Sequence, residues 1–487
     1  MFKRTLLVLT NYLLLISLAC GGGSLLRGKD QQLEVVEPMA ANETAVEAEE
    51  AAATEQDDAN AIALIRRFAQ PLSGAGGDYD PLMKSIGEAR FVLLGEATHG
   101  THEFYRERAK LTRRLIEEKG FNAVVLEADW SDAYRVNEFV LGAATASKDK
   151  NAEQSFAGFT RFPQWMWRNR DFRELVAAIR AHNDARASGI EKVGVYGMDL
   201  YGLSESLDDV VQYLNGVDKA AAARARQRYN CFRYYREQPQ QYGLDAAKNA
   251  RRSCEKVAGE QFQEMEDRFK AWLAGEKRER NDRLFSAYQS ARVVKNAEAY
   301  YRLSFNRNFS TWNLRDGHMS DTLLALAHYL EAIGDRKSKL VVWAHNTHQG
   351  DARMTEMGEA GELNVGHLMR QATDGSSFLV GFTTYTGRVM AASQWGAEGA
   401  MMRVRPALAG SYSKLFHDAM GGANFFLIFR ENETLSQELA RKRLERAIGV
   451  VYLPQTERQS HYFDARMSRQ FDAVIHFDVT SAVKPIF

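Results

Sequence analysis

The chain has 487 residues, 63 basic and 63 acidic, with 45% apolar content. That length suits one large domain or two ordinary ones and supplies a sizeable core. The balanced charge gives no support to nucleic acid or an anionic membrane surface as a partner.

At the amino terminus Lys3 and Arg4 precede an apolar run from Leu6 to Leu18. The run is too short to span a bilayer comfortably and reads as a secretory signal. It ends in SLAC followed by GGGS, which resembles a bacterial lipoprotein cleavage site. Cleavage there after residue 19 makes Cys20 the acylated first residue. The expectation is an exported protein whose only link to the cell-envelope membrane is a lipid anchor. Residues 21–60 are rich in Glu, Ala, Asp and Gln, bury too little apolar surface to order themselves, and read as a flexible acidic linker.

The folded domain is expected over 61–487. It opens with a helical pattern (Ile62, Leu64, Ile65, Phe68) that breaks at Pro71 and the glycines at 74, 76 and 77. Strand candidates follow at Phe91 to Leu94, Ala123 to Leu126, Val193 to Tyr196, Leu340 to Trp343, Phe378 to Phe382 and Phe425 to Ile428, interleaved with helical stretches. Several are continuous apolar runs, which implies burial on both faces. The predicted class is α/β, a mainly parallel central sheet flanked by helices. Residues 204–304 carry no convincing strand and predict a helical insertion forming one side of a cleft. Cys231 and Cys254 either pair or stand as two buried thiols; the spacing does not decide.

In an open parallel sheet, ligands collect at the carboxyl ends of the strands. Glu96 and His99 follow the first candidate strand, Glu127 and Asp129 the second, Asp199 the third, and His345 and His348 the fourth. Any one of these is commonly a cap or turn residue; ionisable groups after four strands together point to a site. Helical phase adds Arg108, which shares a stripe with Phe104, Leu111 and Leu115. A cation on an apolar face needs a buried carboxylate, and Glu96 and Glu127 are the nearest candidates. No GxSxG or HExxH motif occurs. A carboxylate-held His can take a proton from water near neutral pH, while Arg108 and a second imidazole meet the charge developing on a carbonyl oxygen. Glu96, His99, Glu127, His345 and His348 are also acceptable ligands for zinc or a related divalent ion.

LGEATHG, the Glu of VVLEAD and the WAHNTH segment together resemble the erythromycin esterase family. FPQWMWRN at 162–169, YGMDLYG, NLRDGHM, NVGHLMR, GSYSKLFHD and the terminal SHYFDARMSRQFDAVIHFD extend the resemblance over nearly everything after the linker. The resemblance implies a carboxylic ester hydrolase that opens ester or lactone bonds by metal-independent water activation. It implies an active site of Glu96, His99, Arg108, Glu127, His345 and His348. His99 is then expected as the base, oriented by Glu96 or Glu127, with His345 and His348 stabilising the oxyanion or sharing the proton transfer. A small-molecule ester or lactone is the expected partner, a macrolide lactone among the candidates, with antibiotic resistance as the consequence in that case. Two rival expectations are a metal-dependent hydrolase built on the same cluster and a surface-tethered envelope-binding protein with little catalysis. Among other residues, His102 is expected to face solvent, Asp316 to cap a helix or pair with Arg315, and the tryptophans 130, 165, 167, 312 and 395 to serve the core.

Overall fold

Among the described residues eleven strands form: β1 (Gln70–Pro71), β2 (Phe91–Leu94), β3 (Ala123–Asp129), β4 (Gly194–Asp199), β5 (Leu340–Trp343), β6 (Ser377–Ala391), β7 (Ala400–Val404), β8 (Phe425–Ile428), β9 (Arg443–Arg446), β10 (Tyr462–Ala465) and β11 (Ala473–Thr480). The structure is a computed structural model describing residues 58–142, 147–186, 191–275, 280–306, 308–334 and 336–486. The expected signal, Cys20 and all but the last three residues of the expected linker lie outside the described residues. Those three, 58–60, already belong to a helix over residues 58–68.

Nine strands make one sheet in the order β1-β8-β11-β6-β2-β5-β3-β4, with β7 paired to β6; β9 and β10 pair separately. The run from β11 to β4 is parallel, while β1, β7 and β8 join antiparallel. Every residue of β2, β3, β4 and β5 is buried. Strand alternation explains how. Phe91, Leu93, Val125 and Val342 enter one apolar cluster with the insertion helices. Val92, Leu94, Leu126 and Trp343 enter another with the helices His102–Lys119, Trp130–Leu141 and Arg170–Asp184. The central sheet is therefore sandwiched, and its apolar runs are fully used.

All six expected strands are present. Residues 473–480, not anticipated as a strand, form β11 beside β6, and β6 runs well past Phe382. The insertion consists of Leu203–Val217, Lys219–Tyr229, Pro239–Lys248, Glu255–Leu273 and Asp282–Leu303. It does not stop at 304: Thr311–Ile333 continues the layer on the same face, contributing Met319, Leu323, Leu326 and Leu330 to the same cluster. Cys231 and Cys254 form a disulfide within this layer, with Cα atoms 5.9 Å apart. No helix among the described residues is long and apolar enough to cross a membrane.

In register, Leu94 lies opposite both Trp343 and Val380, and Leu126 opposite Trp343. The chains leaving β2, β3 and β5 therefore emerge side by side. That places the loops carrying Glu96, Glu127 and His345 at one edge.

Candidate active site

Leaving β2, the chain is pinned on both sides before the helix at His102 begins. Ile448 N donates to Ala97 O (2.8 Å), Met390 N to Gly100 O (3.0 Å), and Tyr105 Oη to His99 O (3.1 Å). Two glycines permit this closeness. A Cβ on Gly95 would sit 2.2 Å from Asn346 Oδ1, and one on Gly100 1.9 Å from Met390 O. Within the loop His99 Nδ1 lies 2.9 Å from Glu96 Oε1. No described residue bonds His99 Nε2. Arg108 Nη2 donates to Glu96 Oε2 at 2.5 Å.

Arg108 is fully buried, with Phe104, Leu111 and Leu115 at its sides. Its guanidinium lies between the Tyr105 and Trp343 rings, 4.6 and 4.5 Å from their centroids. The two aromatic faces favour the charge where no further hydrogen-bond acceptor is present. Of the two carboxylates expected to serve it, Arg108 takes Glu96.

The second half centres on Glu127. Its Oε1 receives Arg315 Nη2 (2.8 Å) and lies 3.2 Å from His348 Nε2, while Oε2 accepts His345 N–H (2.9 Å). Burial pushes the Glu127 carboxyl up, but His348 and Arg315 together hold it well below the ordinary range. Arg315 also donates twice to Asp199, at 2.9 and 2.6 Å. His348 Nδ1 is 2.8 Å from Asp316 Oδ1, and the Trp312 ring stacks on the imidazole at 4.4 Å and 9°. Burial disfavours a charged His348, yet Asp316 and Glu127 outweigh it and push its pKa up to about 9. The two carboxylates thus favour the protonated ring, against Arg315 Nη1, which approaches Nε2 at 3.1 Å.

His345 behaves oppositely: burial, reinforced by nearby His99, pushes it well below its ordinary value. Its Nδ1 accepts the Thr347 backbone N–H (3.3 Å) and lies 2.9 Å from Thr347 Oγ1, contacts that suit a neutral ring with its proton on Nε2. That atom is buried without a hydrogen-bond partner among the described residues. The His99 and His345 rings face one another at 4.8 Å. All six residues expected from the sequence therefore meet in two linked halves.

Trp312, Arg315, Asp316 and Asp199 complete the second half and were not among those six. Asp316 does not pair with Arg315 as expected; it turns to His348, while Arg315 reaches Glu127 and Asp199. A signal was present in the sequence, since 312, 315 and 316 share one helix face at spacings of three and four. His102 stays outside, bonded to Asp171 at 2.8 Å with its side chain about a third exposed. His318 is buried against Asn296 (2.9 Å). The five candidate metal ligands do not converge: among the described residues no three His, Cys, Asp or Glu side chains are grouped to hold an ion. Glu96 is held by His99 and Arg108, and Glu127 by Arg315 and His348, whereas the His345 ring bonds Thr347.

A sequence model of the erythromycin esterase family matches residues 116–480. Erythromycin esterase type II of Escherichia coli is 28% identical over 123 residues, 25% of this chain and 26% of that protein. Erythromycin esterase type I of Escherichia coli is 36% identical over 81 residues, 17% of this chain and 20% of that protein. The matched stretches thus span about a quarter and a fifth of those relatives. Three solved structures share the fold. A succinoglycan biosynthesis protein aligns with TM-score 0.70 and 21% identity, over 88% of this chain and 98% of its own. A Bacillus cereus protein aligns with TM-score 0.72 and 19% identity, over 88% and 99%. A mutant erythromycin esterase in its open conformation aligns with TM-score 0.56 and 18% identity, over 85% and 96%. With three quarters of its length matched by the family model, this chain belongs to the erythromycin esterase family.

Proposed function

We propose that the protein is a metal-independent hydrolase of ester or lactone bonds in which His99 activates water. The observation that carries this reading is the buried Glu96–His99 pair, whose unbonded Nε2 lies on a ring facing His345. Glu96, bonded to Arg108, accepts the Nδ1 proton of His99 and leaves Nε2 to receive one from water. As the water oxygen bonds to the acyl carbon, negative charge moves to the carbonyl oxygen. The Nε2–H of neutral His345 is the donor for that oxyanion. Protonated His99 then returns its proton to the departing alkoxide as the acyl carbon–oxygen bond breaks. Glu127 holds the backbone of His345, and the cations His348 and Arg315 keep Glu127 ionised.

The SLAC segment supports export and lipid anchoring at Cys20, which brings an envelope ester or an extracellular lactone within reach. The Escherichia coli relatives add macrolide lactones to the candidates. A screen of esters, lactones and macrolides in ¹⁸O-water tests the reading. One label in the acid product, retained after exhaustive chelation, is expected; turnover that disappears with removal of a stoichiometric metal would contradict it.

A further inference from the structure

Asn346 stands in the loop after β5, between His345 and His348, and is fully buried. Its surroundings follow from where β2 stops. β2 and β6 stay paired as far as Leu94 opposite Val380, where Gly95 N donates to Val380 O (2.8 Å); the chain then leaves the sheet. Backbone groups along a strand repeat every second residue, so the N–H and C=O of Phe382 face the same side as those of Val380, toward the gap that β2 has left. The Asn346 amide fills that gap. Its Nδ2 donates to Phe382 O (2.8 Å), and its Oδ1 accepts from Phe382 N (3.2 Å). A side chain thus does for β6 what residue 96 would do in a longer β2. The backbone N–H of Asn346 donates to Glu96 O (2.8 Å), so one residue holds both β6 and the loop that carries Glu96 and His99.

Two neighbours fit the place to an amide. Gly95 makes room for it, since a Cβ there would lie 2.2 Å from Asn346 Oδ1. Glu445 Oε1, on β9, accepts the second Nδ2 hydrogen at 3.3 Å, so both donors and the acceptor of the amide are used. Burial pushes the Glu445 carboxyl up to about 8, and near neutral pH it accepts that bond without setting a negative charge beside Asn346. An aspartate of the same shape could accept from Phe382 N but, ionised, could donate to neither oxygen. With the gap closed, the chain after Gly95 is free to turn, and Glu96 reaches Arg108 and His99. The His99 and His345 rings then face one another at 4.8 Å across two loops that Asn346 ties together.

We propose that Asn346 is a positioning residue, which by taking the place of β2 beside β6 sets the spacing between the Glu96–His99 pair and His345. The hydrolase reading supplies the purpose of that spacing but not the spacing itself, so the test reads geometry and turnover separately. Ring ¹⁵N spectra of the histidine-labelled protein, with His99 assigned through His99→Gln, are expected to show Nδ1 protonated and Nε2 bare in the wild type. Asn346→Ala and Asn346→Asp should lose that preference at His99, while the ring of His476, bonded to Thr383 at 2.9 Å, keeps its signals. On a small ester, both variants should lose about 10²-fold in kcat with KM little changed, the effect of a small misplacement of the reacting groups. Glu445→Ala should reproduce part of the loss, and Glu445→Gln, which keeps a carbonyl acceptor, should restore it. Should Asn346→Ala fail to fold, Gly95→Ala carries the same test, because it displaces the amide without removing it. A change that only destabilised the fold would leave the His99 signals of the folded protein as they are. Wild-type His99 signals in folded Asn346→Ala, or wild-type kcat in that variant, would overturn the proposal. Absence of ester and lactone turnover in the wild type would remove the hydrolase reading and leave the positioning to be decided by the ring spectra.

Discussion

Arg108 and Glu96 form an ion pair with both side chains sealed from solvent, Nη2 to Oε2 at 2.5 Å, while the other oxygen of Glu96 lies 2.9 Å from His99 Nδ1. A buried pair is costly to assemble and costlier to break, because the survivor keeps its charge without a counter-ion. Arg108→Met should therefore lower unfolding free energy by about 3–5 kcal/mol and also weaken turnover, since Glu96 loses the charge that steadies it. Urea denaturation checks the first effect. Combining Arg108→Met with Glu96→Gln should cost clearly less stability than the two single changes added together.

His348 links pH to stability. Its folded pKa of about 9 exceeds the ordinary 6.5, chiefly through Asp316 and Glu127 acting against burial. Its charge thus contributes stability fully below pH 6.5, and that contribution is lost as pH rises toward 9. The size is on the order of 3 kcal/mol. Urea midpoints between pH 6 and 9.5 should fall in the wild type, and the fall should be much smaller in Asp316→Asn.

His345 is assigned the role of a neutral donor. His345→Ala should cut kcat about 10²- to 10³-fold, the range for one oxyanion donor, with little change in KM. Steady-state kinetics on a small ester check this. A rise in KM alone would show that the imidazole binds ground state and transition state equally.

Gly100 is fixed by contact with the Met390 backbone, 1.9 Å from where a Cβ would lie. Gly100→Ala forces β6 and the 95–101 loop apart. Thermal unfolding should show a lowered Tm, and turnover should fall although no ionisable group is removed.

Much of the site was legible because its logic is local. Continuous apolar runs named the parallel strands, and the ionisable residues directly after them named Glu96, His99, Glu127, His345 and His348. Arg108 followed from helical phase alone. What escaped depended on contacts across the chain. Arg315 is 188 residues from Glu127, and Asp316 pairs with a histidine 32 residues away; no local pattern joins them. The helical layer extends beyond 304 because the helix starting at Thr311 packs back on it, a tertiary fact that the intervening break concealed. β11 escaped for a similar reason: its polar residues His476 and Asp478 interrupt the apolar run that marks its neighbours. His476 finds Thr383 at 2.9 Å, a partner visible only once the sheet is assembled.

The most direct test of the central claim is ester and lactone turnover by His99→Ala, measured beside wild type on protein shown by circular dichroism to be folded. Loss of at least about 10³-fold in kcat is expected, as for removal of an essential general base together with the water it positions. Wild-type turnover in folded His99→Ala protein would contradict the account.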